Sequence, residues 1–372
     1  MNKCLKNLQE ITFNIKAVDL FCGVGGLTHG LSRGGIQVMA GIDIDASCRY
    51  PYEANNPARF IEHDVGTLPP DLITPYYENA DYTLLAGCAP CQPFSSYSRS
   101  GRNREYESQW PLVSSFGKLA EAIRPDLITM ENVPQLADHP VFDELLASLS
   151  GYETWWQIVE CSKLGIPQTR KRLVLLASRL GKDSLELIEE SNQETTVRQT
   201  IGMLPAIDAG EIHPEDELHM ASSLSPMNLA RIKKSRPGGT WRDWPDELKA
   251  ACHRKSSGAT YPSVYGRMEW DRPAPTITTQ CFGYGNGRFG HPEQHRAISL
   301  REAAMLQTFP ADYSFAPAGT RFKFNRMGRL IGNAVPVRLG EAIAQSLVAH
   351  VRVCSSRSPG TGAEQLPTTQ LH

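Results

Sequence analysis

No uninterrupted apolar run in this 372-residue chain approaches the roughly 18 residues that a membrane-spanning helix needs. The opening stretch MNKCLKNLQEITFNIK lacks the apolar core of a secretory leader. Its nine cysteines are odd in number and irregularly spaced, which argues against a secreted disulfide framework and for a reducing cytoplasm. No second Cys-x-x-Cys accompanies the one at Cys88 and Cys91, so a four-cysteine structural zinc site has too few ligands and no metal is expected. Internal repeats are absent. Excess charge is lacking too: a formal net charge of −2 and a pI near 6.6 do not advertise a nucleic-acid partner.

Distribution says more than the total. Residues 181–217 carry two Lys/Arg against ten Asp/Glu, whereas 218–271 carry nine against five, a local swing from −8 to +4. A basic face can therefore exist on a slightly acidic protein. With 41% hydrophobic residues the chain can bury a large core and is expected to divide into one big domain and one small one.

Over the first 180 residues short β-rich runs alternate with helical patterns. AVDLF (17–21), QVMAGIDI (37–44), YTLLA (82–86), DLITM (126–130), WWQIVE (155–160) and LVLLA (173–177) read as strands. Leu112, Phe116, Leu119 and Ile123 fall on one helical face, and Phe142, Leu145, Leu146 and Leu149 on another. This alternation predicts an α/β fold, an open, mainly parallel, doubly wound Rossmann-like sheet whose ligand sites lie beyond the carboxyl ends of the strands. Gly23, Asp43, Cys91 and Glu131 all fall at or just past such ends. From about residue 181 the pattern gives way to segments rich in Pro, Gly, Trp and charge, read as a smaller irregular domain. SLREAAMLQTF (299–309) opens with a Ser-x-x-Glu capping box, and GEAIAQSLVAHV (340–351) is a further helix. The expected division is 1–180 plus 328–352, then 181–327, then a disordered tail over 353–372.

DLFCGVGGLTHG follows the first strand and opens a helix, which suits close approach of a ligand to the backbone, with the acidic Asp43 beyond it for ribose hydroxyls. Thr28 stands where the third glycine of G-x-G-x-x-G would be. A plain tight strand–helix turn would look similar, and nicotinamide and S-adenosylmethionine sites share this architecture. In GCAPCQPFSSYSRSG (87–101), proline, serine and a polar loop follow the cysteines instead of a helix, which disfavours a thioredoxin-like redox pair. Cys88 suits a buried, packing role near its strand end; Cys91 lies between prolines at a loop mouth.

GCAPCQPFS resembles the catalytic motif of cytosine-5 DNA methyltransferases, and DLFCGVGGL their cofactor motif. GIDID (41–45), HDV (63–65), ENV (131–133), QTRKR (168–172), RPAPTITTQ (272–280) and IGNAVPV (331–337) follow in the family's order. The resemblance covers nearly all of residues 17–350. It implies a Rossmann-like methyltransferase domain, a target-recognition domain between QTRKR and RPAPTITTQ, and S-adenosylmethionine as methyl donor. It also implies duplex DNA as partner, no membrane, a cytoplasmic monomer, and a bacterial restriction-modification setting in which a cognate endonuclease either shares the recognition sequence without a stable complex or is missing.

Carbon 5 of cytosine is a poor nucleophile until a thiolate adds at carbon 6 and makes it enamine-like. Cys91 matches the family nucleophile, which leaves Cys88 a bystander. Glu131 matches the carboxyl that hydrogen-bonds the ring nitrogen at position 3, Arg172 the arginine near the cytosine oxygen, and Arg170 its support. For the cofactor, the resemblance carries over Phe21, Gly23, Gly25 and Gly26, then Asp43 and Ile44, Asp64 and Val65, and Pro90, Leu112, Asn333 and Ala334. Asp43 is shorter than the glutamate often found there. The target base must be flipped out of the duplex. Ser98, Arg99, Arg102 and Arg104 are expected to close over the DNA backbone at the target. In the variable segment Arg231, Lys233, Lys234, Arg236, Trp241, Arg242, Arg254, Lys255 and Arg267 are candidate DNA contacts. An RNA enzyme of the tRNA type on the same fold is the alternative, although its Cys-Phe-Thr signature is missing: the one Cys-Phe here continues as Cys281-Phe282-Gly283.

Overall fold

The computed structural model describes residues 13–90, 110–188, 194–255, 258 and 261–357. Cys91, Ser98, Arg99, Arg102 and Arg104 lie outside the described residues. The first half runs β1 (Ile15–Leu20), α1 (Gly26–Arg33), β2 (Gln37–Asp43), α2 (Arg49–Asn55), β3 (Arg59–Glu62), β4 (Tyr82–Gly87), α3 (Trp110–Ile123), β5 (Leu127–Asn132), α4 (Pro140–Ser148), β6 (Glu153–Glu160) and β7 (Lys171–Ser178). These strands form one seven-stranded sheet in the order β3-β2-β1-β4-β5-β7-β6. Chain order reverses direction across the sheet between β1 and β4, which makes a switch point in the sense that governs ligand sites in doubly wound folds.

All six anticipated strands form; β3 is an addition. Pairings from β3 through β5 are parallel, while β7 runs antiparallel to both β5 and β6. Glu131, expected just past its strand, lies inside β5. The two faces of the sheet carry separate cores. On one, Ile15, Ala17, Leu84 and Ala86 pack with Leu27 and Leu31 of α1. On the other, Val18, Leu20, Leu85 and Ile128 pack with Val113, Phe116 and Leu119 of α3 and Phe142 and Leu145 of α4. This is the period-2 alternation of a sheet buried on both sides.

Beyond β7 come α5 (Val197–Ile201), β8 (Ile212–His213), β9 (Asp216–Met220), α6 (Pro226–Lys234), α7 (Leu300–Leu306), α8 (Phe324–Asn333) and α9 (Val337–Arg357). Ser299 caps α7 as its sequence predicts: its Oγ accepts from Glu302 N at 3.1 Å while Glu302 Oε2 accepts from Ser299 N at 2.7 Å. The same carboxylate grips the fully buried Arg296 in two bonds of 2.7 Å, so a cap doubles as a buried ion pair. The helix stops at Leu306, short of the expected 309, and α9 reaches Arg357, so 353–357 are helical and not part of a tail. The expected boundary at 181 is not a break in packing, because Leu187, Val197, Leu218, Met268 and Ile277 join the first sheet core. A small separate cluster comprises Ile232, Trp241, Trp244, Val264, Tyr284 and Ala297. Among the described residues, no helix is long and apolar enough to cross a membrane.

Helix α1 lies against α9 along a track without side chains. A Cβ on Gly26 would sit 2.2 Å from the Val335 carbonyl oxygen, one on Gly30 2.2 Å from that of Val337, and one on Gly34 2.3 Å from Ala344 Cβ. Backbone cannot yield as a side chain can. Gly30→Ala is therefore expected to destabilise the protein by about 2 kcal/mol or more, although alanine in mid-helix would by propensity alone gain about 1 kcal/mol. The urea midpoint measures the sign.

Candidate active site

At the carboxyl end of β1 the backbone turns sharply. Phe21, Gly23 and Gly25 all take positive φ, at 59°, 51° and 88°, and an aromatic residue holds that region only where its surroundings impose it. The three glycines divide. A Cβ on Gly23 would meet nothing within 4 Å, so this turn faces open space. Gly25 faces inward, with Asn56 Nδ2 at 2.8 Å and Tyr313 Oη at 3.0 Å from its Cβ position, and Gly26 lies against the Val335 carbonyl just before α9. Those two build the turn; only Gly23 borders a ligand space. Thr28, at the place of a third glycine, donates its hydroxyl to Asp19 Oδ2 at 2.7 Å.

Asp43 closes the turn from the next strand: Oδ2 accepts from Gly23 N and Oδ1 from Asp45 N, both at 2.9 Å. Burial raises its carboxyl, offset in part by the bonds from Asp45 and Gly23. Beside it Ile44 is 67% exposed, an apolar side chain at a strand end with nothing to cover it. Asp64 is exposed and caps the next turn through Gly66 N at 2.8 Å, while Val65 is buried in the second core, leaving its backbone to meet a ligand. Leu112 belongs to the same wall, since its Cδ2 lies 3.6 Å from a Cβ position on Gly66. Pro90 and Asn333 are exposed and Ala334 is buried.

The second half of the site stands on β4, β5 and β7. Glu131 is only 2% exposed. Its Oε2 accepts from Cys88 Sγ at 2.8 Å and its Oε1 lies 2.7 Å from Arg172 Nε. That ion pair is short but its N–H is not aimed at the oxygen, so Glu131 Oε1 has no directed hydrogen bond among the described residues. Arg172 also donates to Lys171 O at 2.7 Å. Arg170, buried, donates to Ile277 O at 3.1 Å and leaves its Nε unpartnered among the described residues; burial first, then Arg172, pushes it down to about 10. Unpaired buried donors and acceptors are rare. Asn132 donates to Ala89 O at 3.1 Å and so holds the segment leading out of β4 to the end of β5.

Cys88 therefore is no bystander: it touches the carboxylate. Other residues escaped sequence reading. Gln168 is fully buried, donating to Leu306 O and Gln307 Oε1 at 2.7 Å each and accepting from Ile277 N at 2.9 Å. Gln307 in turn donates to Ile331 O and Ala334 O at 3.0 Å. Residues 321–329 carry Arg321, Lys323, Arg326 and Arg329 with no acid, all exposed. Arg326 reaches Asp45 at 2.7 Å.

Two expected DNA contacts need correction. Arg267 is 3% exposed and its guanidinium is spent on Ile232 O, His291 O, Gln294 O and His295 Nδ1, so it braces loops. Trp241 is buried, stacked on His253 at 4.2 Å and donating to Tyr261 O. His291 Nδ1 accepts from Glu293 N and Gln294 N. Arg231 is half-buried and committed to Leu248 O and Asn228 Oδ1. Lys233, Lys234, Arg236, Arg242, Arg254 and Lys255 are exposed. Of these, Arg236 pairs with Asp243 at 3.5 Å and Arg254 donates to Asp246 O at 2.6 Å.

Comparison with known proteins adds a second line. The profile of the C-5 cytosine-specific DNA methylase family matches residues 15–349. The Type II methylase M.HgiDII of Herpetosiphon aurantiacus is 52% identical over 338 residues, 89% of this chain and 94% of that protein. The Type II methyltransferase M1.HphI of Haemophilus parahaemolyticus is 29% identical over 89% of this chain and 86% of its own. Among solved structures, a DNA modification methyltransferase encoded within a prophage of E. coli superposes with a TM-score of 0.67 at 21% identity, over 91% of this chain and all of that one.

Asp19, fully buried beneath the turn with Oδ1 unpartnered among the described residues, has its carboxyl raised to about 7, chiefly by burial. The folded state thus holds a proton that the unfolded chain gives up near pH 4, so this group's stabilisation is complete below that and is lost between about pH 4 and pH 7. Asp19→Asn should gain stability relative to wild type as pH rises from 5 to 8, by about 2–3 kcal/mol. Denaturation midpoints at the two pH values test it, and a difference independent of pH would refute it.

Proposed function

The chain belongs to the C-5 cytosine-specific DNA methylase family, and from that premise we propose that it transfers the methyl group of S-adenosylmethionine to carbon 5 of a cytosine within a specific duplex DNA sequence. The observation that carries this reading is Glu131, a buried carboxylate held between Cys88 and Arg172 at the carboxyl edge of the sheet with one oxygen lacking a directed bond. The naming of the relatives as Type II enzymes supports a cytoplasmic bacterial setting, a monomer acting on its own, and a cognate endonuclease for the same sequence.

The residues present fit the donor. Open space at Gly23 suits a close backbone approach, Asp43 has acceptor capacity left for ribose hydroxyls, and exposed Ile44 offers an apolar face for an adenine ring. Phe21, Asp64, Val65, Pro90, Leu112, Asn333 and Ala334 complete that wall, with Gly25 and Gly26 shaping it from behind. Bound there, S-adenosylmethionine supplies an electrophilic methyl group.

The chain's own groups prepare the cytosine. Cys91, carried three residues beyond Cys88, adds as thiolate at carbon 6, a task suited to the one side chain that is both appreciably ionised near neutral pH and strongly nucleophilic; once carbon 5 carries the methyl group, its proton passes to water and the thiolate of Cys91 leaves carbon 6, restoring the ring. Glu131 shares a proton with the ring nitrogen at position 3, relieving the charge that addition drives into the ring. Arg172, within 2.7 Å of Glu131, faces the same charge at the carbonyl oxygen, and Arg170 supports it. Cys88 orients the carboxylate. Ser98, Arg99, Arg102 and Arg104 close over the DNA backbone, and the exposed cations of 218–271 contact phosphates.

Purified protein should transfer labelled methyl from S-adenosylmethionine to duplex DNA; label in tRNA alone would overturn DNA as substrate. Cys91→Ser should lose activity by about a thousandfold or more, because an alcohol is barely ionised at neutral pH. Cys88→Ser, whose hydroxyl still donates to Glu131, should stay within about threefold of wild type, whereas Cys88→Ala should fall about tenfold. DNA with 5-fluorocytosine at the target should trap a denaturant-resistant adduct in wild type and not in Cys91→Ser. Equal loss in Cys88→Ser and Cys91→Ser with no adduct would overturn the mechanism.

Salt dependence separates contacts from braces. Lys233→Ala or Lys255→Ala should lower the slope of log affinity against log salt by about one each if the side chain meets a phosphate. Arg267→Ala should leave the slope unchanged and lower the melting temperature.

A further inference from the structure

A cleft of about 570 Å³ opens between α6, the end of β9 and the loop around residues 282–286, with Phe324 and Asn325 of α8 at its margin. Its loop wall, Gly283-Tyr284-Gly285-Asn286-Gly287, keeps the tyrosine ring buried with its hydroxyl on Ser235 Oγ at 2.7 Å, so mainly backbone and Asn286 face the opening. The floor is Phe282, packed edge-on to Phe324 at 5.1 Å. Exposed Lys323 stands next to Phe324 in sequence and exposed Arg321 three residues before it. A cleft lined by polar and apolar groups alike, with an aromatic floor and cations nearby, suits the edge of a nucleic-acid base, which offers both.

One lining residue is fixed in a telling way. Asn228 Oδ1 accepts from Arg231 NH1 at 2.9 Å. Because a guanidinium can only donate, the amide atom facing it must be the oxygen, and Nδ2 is left for the cleft. Arg231 cannot swing away easily: its Nε donates to Leu248 O at 2.8 Å, and its guanidinium carbon lies 5.5 Å from the Trp244 ring centre and 5.1 Å from that of Tyr265. Asn228 Nδ2 has no partner among the described residues. The cleft is also tied to the site already described. Ile277, held by Arg170 and Gln168, leads in five residues to Phe282, and α8 runs from the cleft to Asn333, about 14 Å at 1.5 Å per residue.

We propose that this cleft receives the major-groove edge of a base pair near the target and that Asn228 is a specificity residue that reads guanine there. The proposal rests on the methyltransferase reading and names what its recognition surface reads. Asparagine usually reads adenine with both amide atoms, accepting from N6 and donating to N7. Here Oδ1 is turned toward Arg231 and away from the opening, so the group offered to the cleft is the Nδ2 donor, and guanine alone shows two acceptors side by side to receive it. The length of α8, about 14 Å from the cleft to the cofactor wall at Asn333, corresponds to about four steps of 3.4 Å and sets the scale on which the base read lies from the target cytosine.

The test is methylation, with S-adenosylmethionine, of a duplex library whose positions flanking cytosine are randomised, read by bisulfite sequencing. Wild type should require guanine at one position within about four pairs of the methylated cytosine. Asn228→Ala should lose about tenfold of that preference at that position alone, and Asn228→Asp should turn it toward a base that offers a donor. Identical preferences at every position in wild type and both variants would overturn the proposal while leaving the methyltransferase reading intact. Adenine or thymine at the affected position would also overturn it. Should the alanine variant unfold, the isosteric Asn228→Asp decides; unfolding of both would mark Asn228 as a packing residue and defeat the proposal. A wild type that methylates no DNA refutes the underlying reading, and the proposal with it.

Discussion

Two buried amides hold the working parts of this molecule in register. Gln168, just before β7, and Gln307, just after α7, bond to each other at 2.7 Å and between them engage Leu306 O, Ile277 N, Ile331 O and Ala334 O. Four segments far apart in sequence meet there: the stretch that carries Arg170 and runs into β7 with Arg172, the stretch through Ile277, the end of α7, and the junction of α8 with α9 that carries Asn333 and Ala334. Fully satisfied, such a network specifies one arrangement; with one amide removed, several buried backbone groups lose partners at about 1–3 kcal/mol each. The arginines of one half-site and the cofactor wall of the other are thereby positioned by the same knot.

Against that rigid frame, the catalytic cluster is electrostatically uneasy. Glu131 and Arg170 are nearly sequestered, Arg172 is 13% exposed, and the three bring two positive charges against one negative into the interior. Buried ion pairs contribute little net stability because desolvation offsets attraction. An arrangement that leaves Glu131 Oε1 without a directed bond and Arg170 Nε without a partner makes sense where a polar ring is to occupy the gap, as groups aimed in advance need no reorganisation.

Much of this was legible in the sequence, for identifiable reasons. Strands buried on both faces announce themselves as short apolar runs, and the Ser-x-x-Glu cap of α7 formed as written because capping is local. β3 carries little sequence signal, because RFIE is four residues with charges at both ends and has no apolar run. The reversal of β7 does carry one: only ten residues separate Glu160 from Lys171, too few for a parallel crossover. The partners of polar side chains were not legible at all. Arg231 and Arg267 look like any other basic residues, and nothing local distinguishes a guanidinium spent on carbonyls from one offered to a phosphate. The contact of Cys88 with Glu131 is invisible in the sequence because it depends on β4 lying parallel beside β5, a pairing of residues 43 apart. Gln168 stood inside a recognised motif, yet its reach to Gln307 spans 139 positions.

The small cluster of Ile232, Trp241, Trp244, Val264, Tyr284 and Ala297 lies apart from both cores that flank the sheet. Lines of descent can therefore treat the two regions differently. A residue beneath the sheet is answerable to dozens of others and to the amide knot, so drift there is slow to be tolerated. One resting on the satellite cluster answers to a handful of rings and loops, and a change at Asn228, Arg231 or their neighbours is absorbed locally. Such a layout lets the outer surface diversify among relatives while the glycine track and the buried carboxylate stay fixed, so one catalytic frame can outlive many versions of the face it presents.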